Sequence, residues 1–95
     1  MILTLDEYRC KLLNKILHSY SEYEVQRFIV TAMKSLQSNK VHGHIILRFL
    51  KKSIIDLERL EHKNDSSRKW KNICYARDQF KYLIKSQEMD YGHIN

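Results

Sequence analysis

Proline is missing altogether from the 95 residues, and glycine occurs only twice, at Gly43 and Gly92. These are the residue types that most disfavour a helix interior, by about 3 and 1 kcal/mol relative to alanine, so their scarcity leaves long stretches free to be helical. Two glycines also cannot build a glycine-rich phosphate loop, which excludes that class of nucleotide site. Long apolar runs are absent too: the run Ile45–Leu47 is broken by Arg48, far short of the roughly 18 to 20 residues that span a bilayer. The first residues, Met1-Ile-Leu-Thr-Leu-Asp-Glu7, have neither a basic start nor a sustained apolar stretch and do not read as a secretory signal. With only two cysteines, Cys10 and Cys74, lying far apart in the chain, this favours a cytoplasmic location. Both cysteines fall on or beside apolar helical faces and are expected as small buried hydrophobes; a bridge between them needs Cα atoms within about 7 Å.

What is present suits one folded unit. An apolar fraction of 43% with 29% charged residues argues against intrinsic disorder. Two separate cores would each be too small to fold without disulfides, metals or partners, so residues 1–95 read as a single domain. The net charge of +6 is unevenly placed. Residues 1–39 carry five positive and four negative side chains, residues 40–85 carry twelve and five, and residues 86–95 carry two negative ones. The excess belongs to the second half and would attract an anionic partner there.

Periodicity and caps predict four helices, at about 5–19, 22–37, 44–62 and 66–87, with 88–95 as a frayed tail. Thr4-Leu-Asp-Glu7 and Ser21-Glu-Tyr-Glu24 both have capping-box spacing. The first helix gathers Leu5, Leu12, Leu13, Ile16, Leu17 and Tyr20 within an arc of about 140°, extended by Cys10. In the second, Val25, Phe28, Ile29, Ala32, Met33 and Leu36 form the apolar face. A turn is expected between about Ser38 and Gly43, marked by Asn39 and the glycine. The third helix buries Ile46, Phe49, Leu50, Ser53, Ile54, Leu57 and Leu60, widened by Leu47. Asp65 or Ser66 is available to cap the fourth, which turns Trp70, Ile73, Ala76, Phe80, Leu83 and Ile84 to one side. Short connections make an all-α, up-down antiparallel four-helix bundle the simplest assembly.

Chemistry finds little purchase on this scaffold. His42-Gly-His44 supplies at most half of a zinc ligand set, and His18, His62 and His93 are not placed by sequence to complete it, so these are read as solvated histidines and no metal or other cofactor is implied. Asp6 with Glu7 and Glu22 with Glu24 sit in first helical turns, where the helix dipole favours carboxylates. Lys52 with Asp56, and Glu58 with His62, have the i to i+4 spacing of surface pairs. Nothing assembles into an acid–base or nucleophilic set, so no enzyme is expected.

Two surface features exceed what a bundle needs. On the fourth helix Lys71, Tyr75, Asp78, Tyr82 and Lys85 lie four, three, four and three residues apart, a second stripe well away from the apolar one. Aromatics framed by a few charges mark protein interfaces, so Lys71, Tyr75, Tyr82 and Lys85 are the candidate contact residues for another protein or a second copy of the chain. Ile55 on the third helix, and Tyr23 with Val30 on the second, add exposed apolar surface. The second feature is a basic patch, Arg48, Lys51, Lys52 and Arg59, backed by Lys63, Arg68, Lys69 and Lys71. Nucleic-acid binding through this half is the competing expectation. Against it, the turn from Ser38 to Gly43 is longer than that of a helix-turn-helix, and no tight-corner pattern of small residues is present. The expectation is thus a non-enzymatic protein that works by protein–protein interaction.

Overall fold

The computed structural model describes residues 4–61 and 67–92, with side chains described for 4–60 and 67–88. Four helices account for nearly all of these residues: α1 (Leu5–Leu17), α2 (Glu22–Ser38), α3 (Gly43–Glu61) and α4 (Ser67–Gly92). The all-α, four-helix architecture is therefore the one that the periodicity predicts, and no strand occurs among the described residues. None of the helices is long and apolar enough to cross a membrane.

Local chemistry explains most of the boundaries. Thr4 forms a complete capping box, its Oγ1 accepting from the Glu7 amide at 3.1 Å while the Glu7 carboxylate accepts from the Thr4 amide at 3.4 Å. At α2 the box is shifted: Ser21 Oγ accepts from the Glu24 amide, but the Glu24 carboxylate takes the Tyr20 amide, one residue before the cap. α1 stops at Leu17 rather than Ser19. There the His18 ring nitrogen Nδ1 lies 2.9 Å from the Asn14 carbonyl oxygen, and Ser19 Oγ donates to the Lys15 carbonyl, so side chains occupy the last helical acceptors. Tyr20, expected on the buried face, lies beyond that end and is 76% exposed with Arg68 stacked 5.2 Å from its ring centre.

α2 ends in a Schellman arrangement, with Lys40 N–H donating to Gln37 and Val41 N–H to Leu36. Lys40, not a glycine, takes the left-handed conformation at φ 57°, and Gly43 is the first residue of α3. α4 runs on to Gly92, past the expected end at 87, because no breaker intervenes and Glu88 reaches Lys51 of α3 at 3.7 Å. The expected cap at Asp65 or Ser66, His62, Lys63, His93 and the ends of the chain lie outside the described residues.

The core is a single cluster. Leu12, Leu13 and Ile16 of α1 meet Val25, Ile29, Ala32, Met33 and Leu36 of α2, Ile46, Phe49, Leu50 and Leu57 of α3, and Ile73, Ala76 and Phe80 of α4. Besides Tyr20, the expected core residues Leu5, Cys10 and Trp70 are exposed, while Leu17, Phe28, Leu47, Ile54, Leu60, Leu83 and Ile84 are only half-buried. Leu5 lies at the first turn of α1, and Phe28 sits beneath Lys15. Trp70 is nearly half exposed, since it sits about 120° around α4 from Ala76 at 100° per residue, beyond the edge of the buried arc. Cys74 is half-buried, and neither cysteine is in a disulfide.

Helix pairing is uneven. α3 and α4 share the most extensive interface, α1 packs on all three other helices, and the consecutive α2 and α3 touch least of all. Among the well-formed pairings, α1 against α3 is the sparsest. The assembly measures 44 × 33 × 22 Å, its length set by the 26 residues of α4, about 39 Å at 1.5 Å per residue.

Candidate interaction site

On α4, Ile73, Ala76 and Phe80 face the core, and the predicted second stripe lies on the opposite side. Lys71, Asp78, Tyr82 and Lys85 are all exposed, with Tyr82 at 69%. Tyr75 differs from its neighbours in the stripe: it is half-buried and packs against the core cluster. The accessible aromatic of the row is therefore Tyr82, framed by three charges.

On α3 the basic patch divides in two. Arg48, Lys52, Ile55 and Arg59 recur at spacings of four, three and four, one straight row along the exposed side, with Ile55 49% exposed between the cations. Lys51 stands apart from that row and is turned to α4, where it meets Glu88. Periodicity alone separates Lys51 from the three cations of the row by about 60 to 100°, but only the packing shows which side faces a neighbour.

The row borders the seam between α1 and α3. Three adjoining hollows of about 470, 250 and 260 Å³ follow this seam, and all three are lined by Arg9. Arg9 is 13% exposed; its Nε donates to Asp56 Oδ2 at 2.8 Å and its Nη1 to Asp6 Oδ1 at 2.7 Å. Burial works against the guanidinium charge, and the hydrogen bonds to Asp56 and Asp6 outweigh it, pushing Arg9 upward from its ordinary value. The same bond, aided by the charges of Arg9 and Lys52, holds the Asp6 carboxyl below its ordinary 3.8. Arg59 reaches the other Asp56 oxygen at 4.0 Å. The linked set Asp6, Arg9, Asp56 and Arg59 thus forms a polar waist in the seam. Apolar side chains lie on both sides of it: Leu5, Ile45 and Phe49 at one end, and Leu13, Leu17 and Leu60 at the other.

Arg9 and its reach across to Asp56 were not singled out from the sequence. The i to i+3 spacing to Asp6 is legible, whereas a partner on α3 carries no local signal. Asn72 is a second such residue: buried at 3%, it donates from Nδ2 to the Ser19 carbonyl at 2.8 Å and lies 3.5 Å from that of Leu17. It ties α4 to the corner between α1 and α2.

His42 and His44 are both exposed, with ring centres 4.8 Å apart. The His42 carbonyl accepts the Ile45 and Ile46 amides at the start of α3. Among the described residues no three His, Cys, Asp or Glu side chains converge as a metal site. Compared with protein-family models, with curated proteins and with solved structures, the chain matches none.

Proposed function

We propose that the protein acts by binding another protein, with the outer row of α4 as a contact surface. The observation that carries this is Tyr82, 69% exposed on the side of α4 away from the core and set among Lys71, Asp78 and Lys85. Tyrosine offers a large, rigid contact area at small entropic cost, and charges around an aromatic centre give the polar rim of an interface.

Charge favours a different protein over a second copy. An antiparallel two-fold pairing of α4 centred on Asp78 sets that carboxylate against its own counterpart and Lys71 of one copy against Lys85 of the other. Such like-charge oppositions disfavour a self-complementary contact, as does the net +6 of the whole chain. An acidic partner meets no such penalty.

Nucleic acid is the second reading, supported by the straight row of Arg48, Lys52 and Arg59 on α3. It is weakened by the small number of cations, since Lys51 pairs with Glu88 away from the row and Asp6 and Asp56 offset part of the charge that remains. That reading requires a mobility shift with DNA or RNA at about 50 mM salt, fading steeply as salt rises.

The protein-binding reading is tested by placing a photo-crosslinking amino acid at position 82, and separately at the exposed Gln26 of α2, in cells of the native host. The expected outcome is one discrete protein adduct from position 82 that is missing from position 26 and is lost when Lys71 and Lys85 are both changed to Glu. Equal adducts from both positions, or none from 82, overturn the assignment. Sedimentation of the purified protein is expected to give a monomer.

A further inference from the structure

From the seam between α1 and α3, we infer a docking groove for an amphipathic, acidic helix of a partner protein. The groove is a different surface from the α4 row, and the inference stands or falls separately from that reading.

Its dimensions come first. The three hollows share Arg9, and the smallest-volume end is lined by Thr4 while the largest extends to Leu17. That is the full length of α1, about 20 Å at 1.5 Å per residue, room for a helix of three to four turns. The seam is open because α1 and α3 touch sparingly, which also leaves Cys10 exposed at its edge.

Chemistry specifies the occupant. The floor holds two apolar stations either side of the polar waist, Leu13, Leu17 and Leu60 at one end and Leu5 and Ile45 at the other. Apolar residues repeating at i, i+3 or i+4, and i+7 on a docked helix reach both stations, the usual mode of helix-in-groove binding. Exposed positive charge is confined to one bank. α3 contributes the exposed Arg48, Lys52 and Arg59 with Ile55 among them and the half-buried Asp56 at the waist, whereas α1 contributes Cys10 and Asn14 beside the Arg9-bound Asp6. Arg9 offsets one of the two carboxylates in the floor, and Arg48, Lys52 and Arg59 outnumber the other, so the lining is net positive through the α3 bank. A helix with carboxylates along the flank that meets α3 is complementary; a basic helix is repelled. A second copy of this chain, at net +6, is electrostatically disfavoured.

The experiment is selection from a displayed library of random peptides of about 14 residues against the intact protein. Selected peptides are expected to be rich in Asp and Glu, with apolar residues at i, i+3 or i+4, and i+7. At saturation a synthetic copy of one is expected to slow alkylation of Cys10 at least ten-fold by mass spectrometry while leaving Cys74 unchanged. Lys52→Glu with Arg59→Glu, and separately Ile55→Asp, are expected to weaken it at least ten-fold with circular dichroism unaltered, all three positions being exposed. Selection of basic or neutral peptides, acidic peptides that bind equally well after their order is scrambled, or binding without protection of Cys10 would each overturn the inference. Crosslinking from position 82 is indifferent to all of these results.

Discussion

Asp6 and Arg9 are three residues apart on α1, and their contact changes how the carboxylate responds to acid. Read along the chain, Asp6 is one more acidic residue in a first helical turn, stabilised there by the dipole. In the fold it accepts from Arg9 at 2.7 Å, and that hydrogen bond is the largest cause of its lowered pKa. The sign of the consequence follows. Since the folded carboxyl titrates below the unfolded one, its contribution to stability is fully present above the ordinary value of 3.8 and is lost as the pH falls through the lower folded value. Asp6→Asn is therefore expected to lower the urea midpoint at pH 7, with the gap to the parent protein closing as the pH drops below about 4. A gap that stays constant down to pH 3 contradicts this account. Asp56 teaches the complementary lesson. Its spacing suggests a surface pair with Lys52, yet it is held by Arg9 from α1 at 2.8 Å and approached by Arg59 at 4.0 Å. Only the helix packing brings Arg9 to it.

Helices are the scale at which the sequence is most legible, because caps and apolar faces depend on residues a few positions apart. Thr4 and Ser21 cap α1 and α2 as their spacing predicts, and the buried face of α2 is the predicted one apart from the half-covered Phe28. Ends governed by backbone conformation are harder to read. Asn39 and Gly43 mark the turn after α2, but the residue in the left-handed conformation is Lys40 at φ 57°. A side chain with a Cβ costs about 1 to 2 kcal/mol in that region, and glycine returns part of the gain by loosening the unfolded chain. Lys40→Gly is expected to stabilise the protein by about 0.5 to 1 kcal/mol, measured as a higher urea midpoint at unchanged slope. The hydrogen bonds from residues 40 and 41 back to Gln37 and Leu36 are already in place, so the substitution has no new contact to make. A loss of stability would show that the lysine side chain contributes more than its backbone strain costs.

For the whole molecule, the deciding facts are which helices meet and how the buried polar groups are satisfied. The α1–α2 corner contains no glycine, and the Ser19 carbonyl there is capped by Asn72 from the other end of the chain. Asn72 stands beside Ile73 on α4 and gives no sign in the sequence of being buried. Removing its amide leaves an inward-facing carbonyl without a donor, a loss of about 1 to 3 kcal/mol. Asn72→Ala is expected to cost that much in chemical denaturation, and Asn72→Asp to cost more at neutral pH, because a carboxylate would face carbonyl oxygens as close as 2.8 Å in place of the amide that donates to them. Equal stabilities for the two variants would remove Asn72 from the role of tie between α4 and the corner. The sparse α1–α3 contact has the opposite character: it leaves Cys10 exposed and opens the groove beneath Arg48, Lys52 and Arg59.

By itself the sequence determined four helices, nearly all of their core-facing positions, two N-caps and the basic bias of the second half. Those properties are set by interactions within a turn or two of helix, or by composition alone. The tertiary structure decided that Tyr75 leans on the core while Tyr82 does not, that Lys51 turns to α4 and away from the Arg48 row, that Arg9 crosses to Asp56, and that the α1–α3 seam stays open. Each of these depends on the distance between residues remote in the chain or on the facing of one helix to another, and a 3.6-residue period carries no information about which neighbour a face will meet.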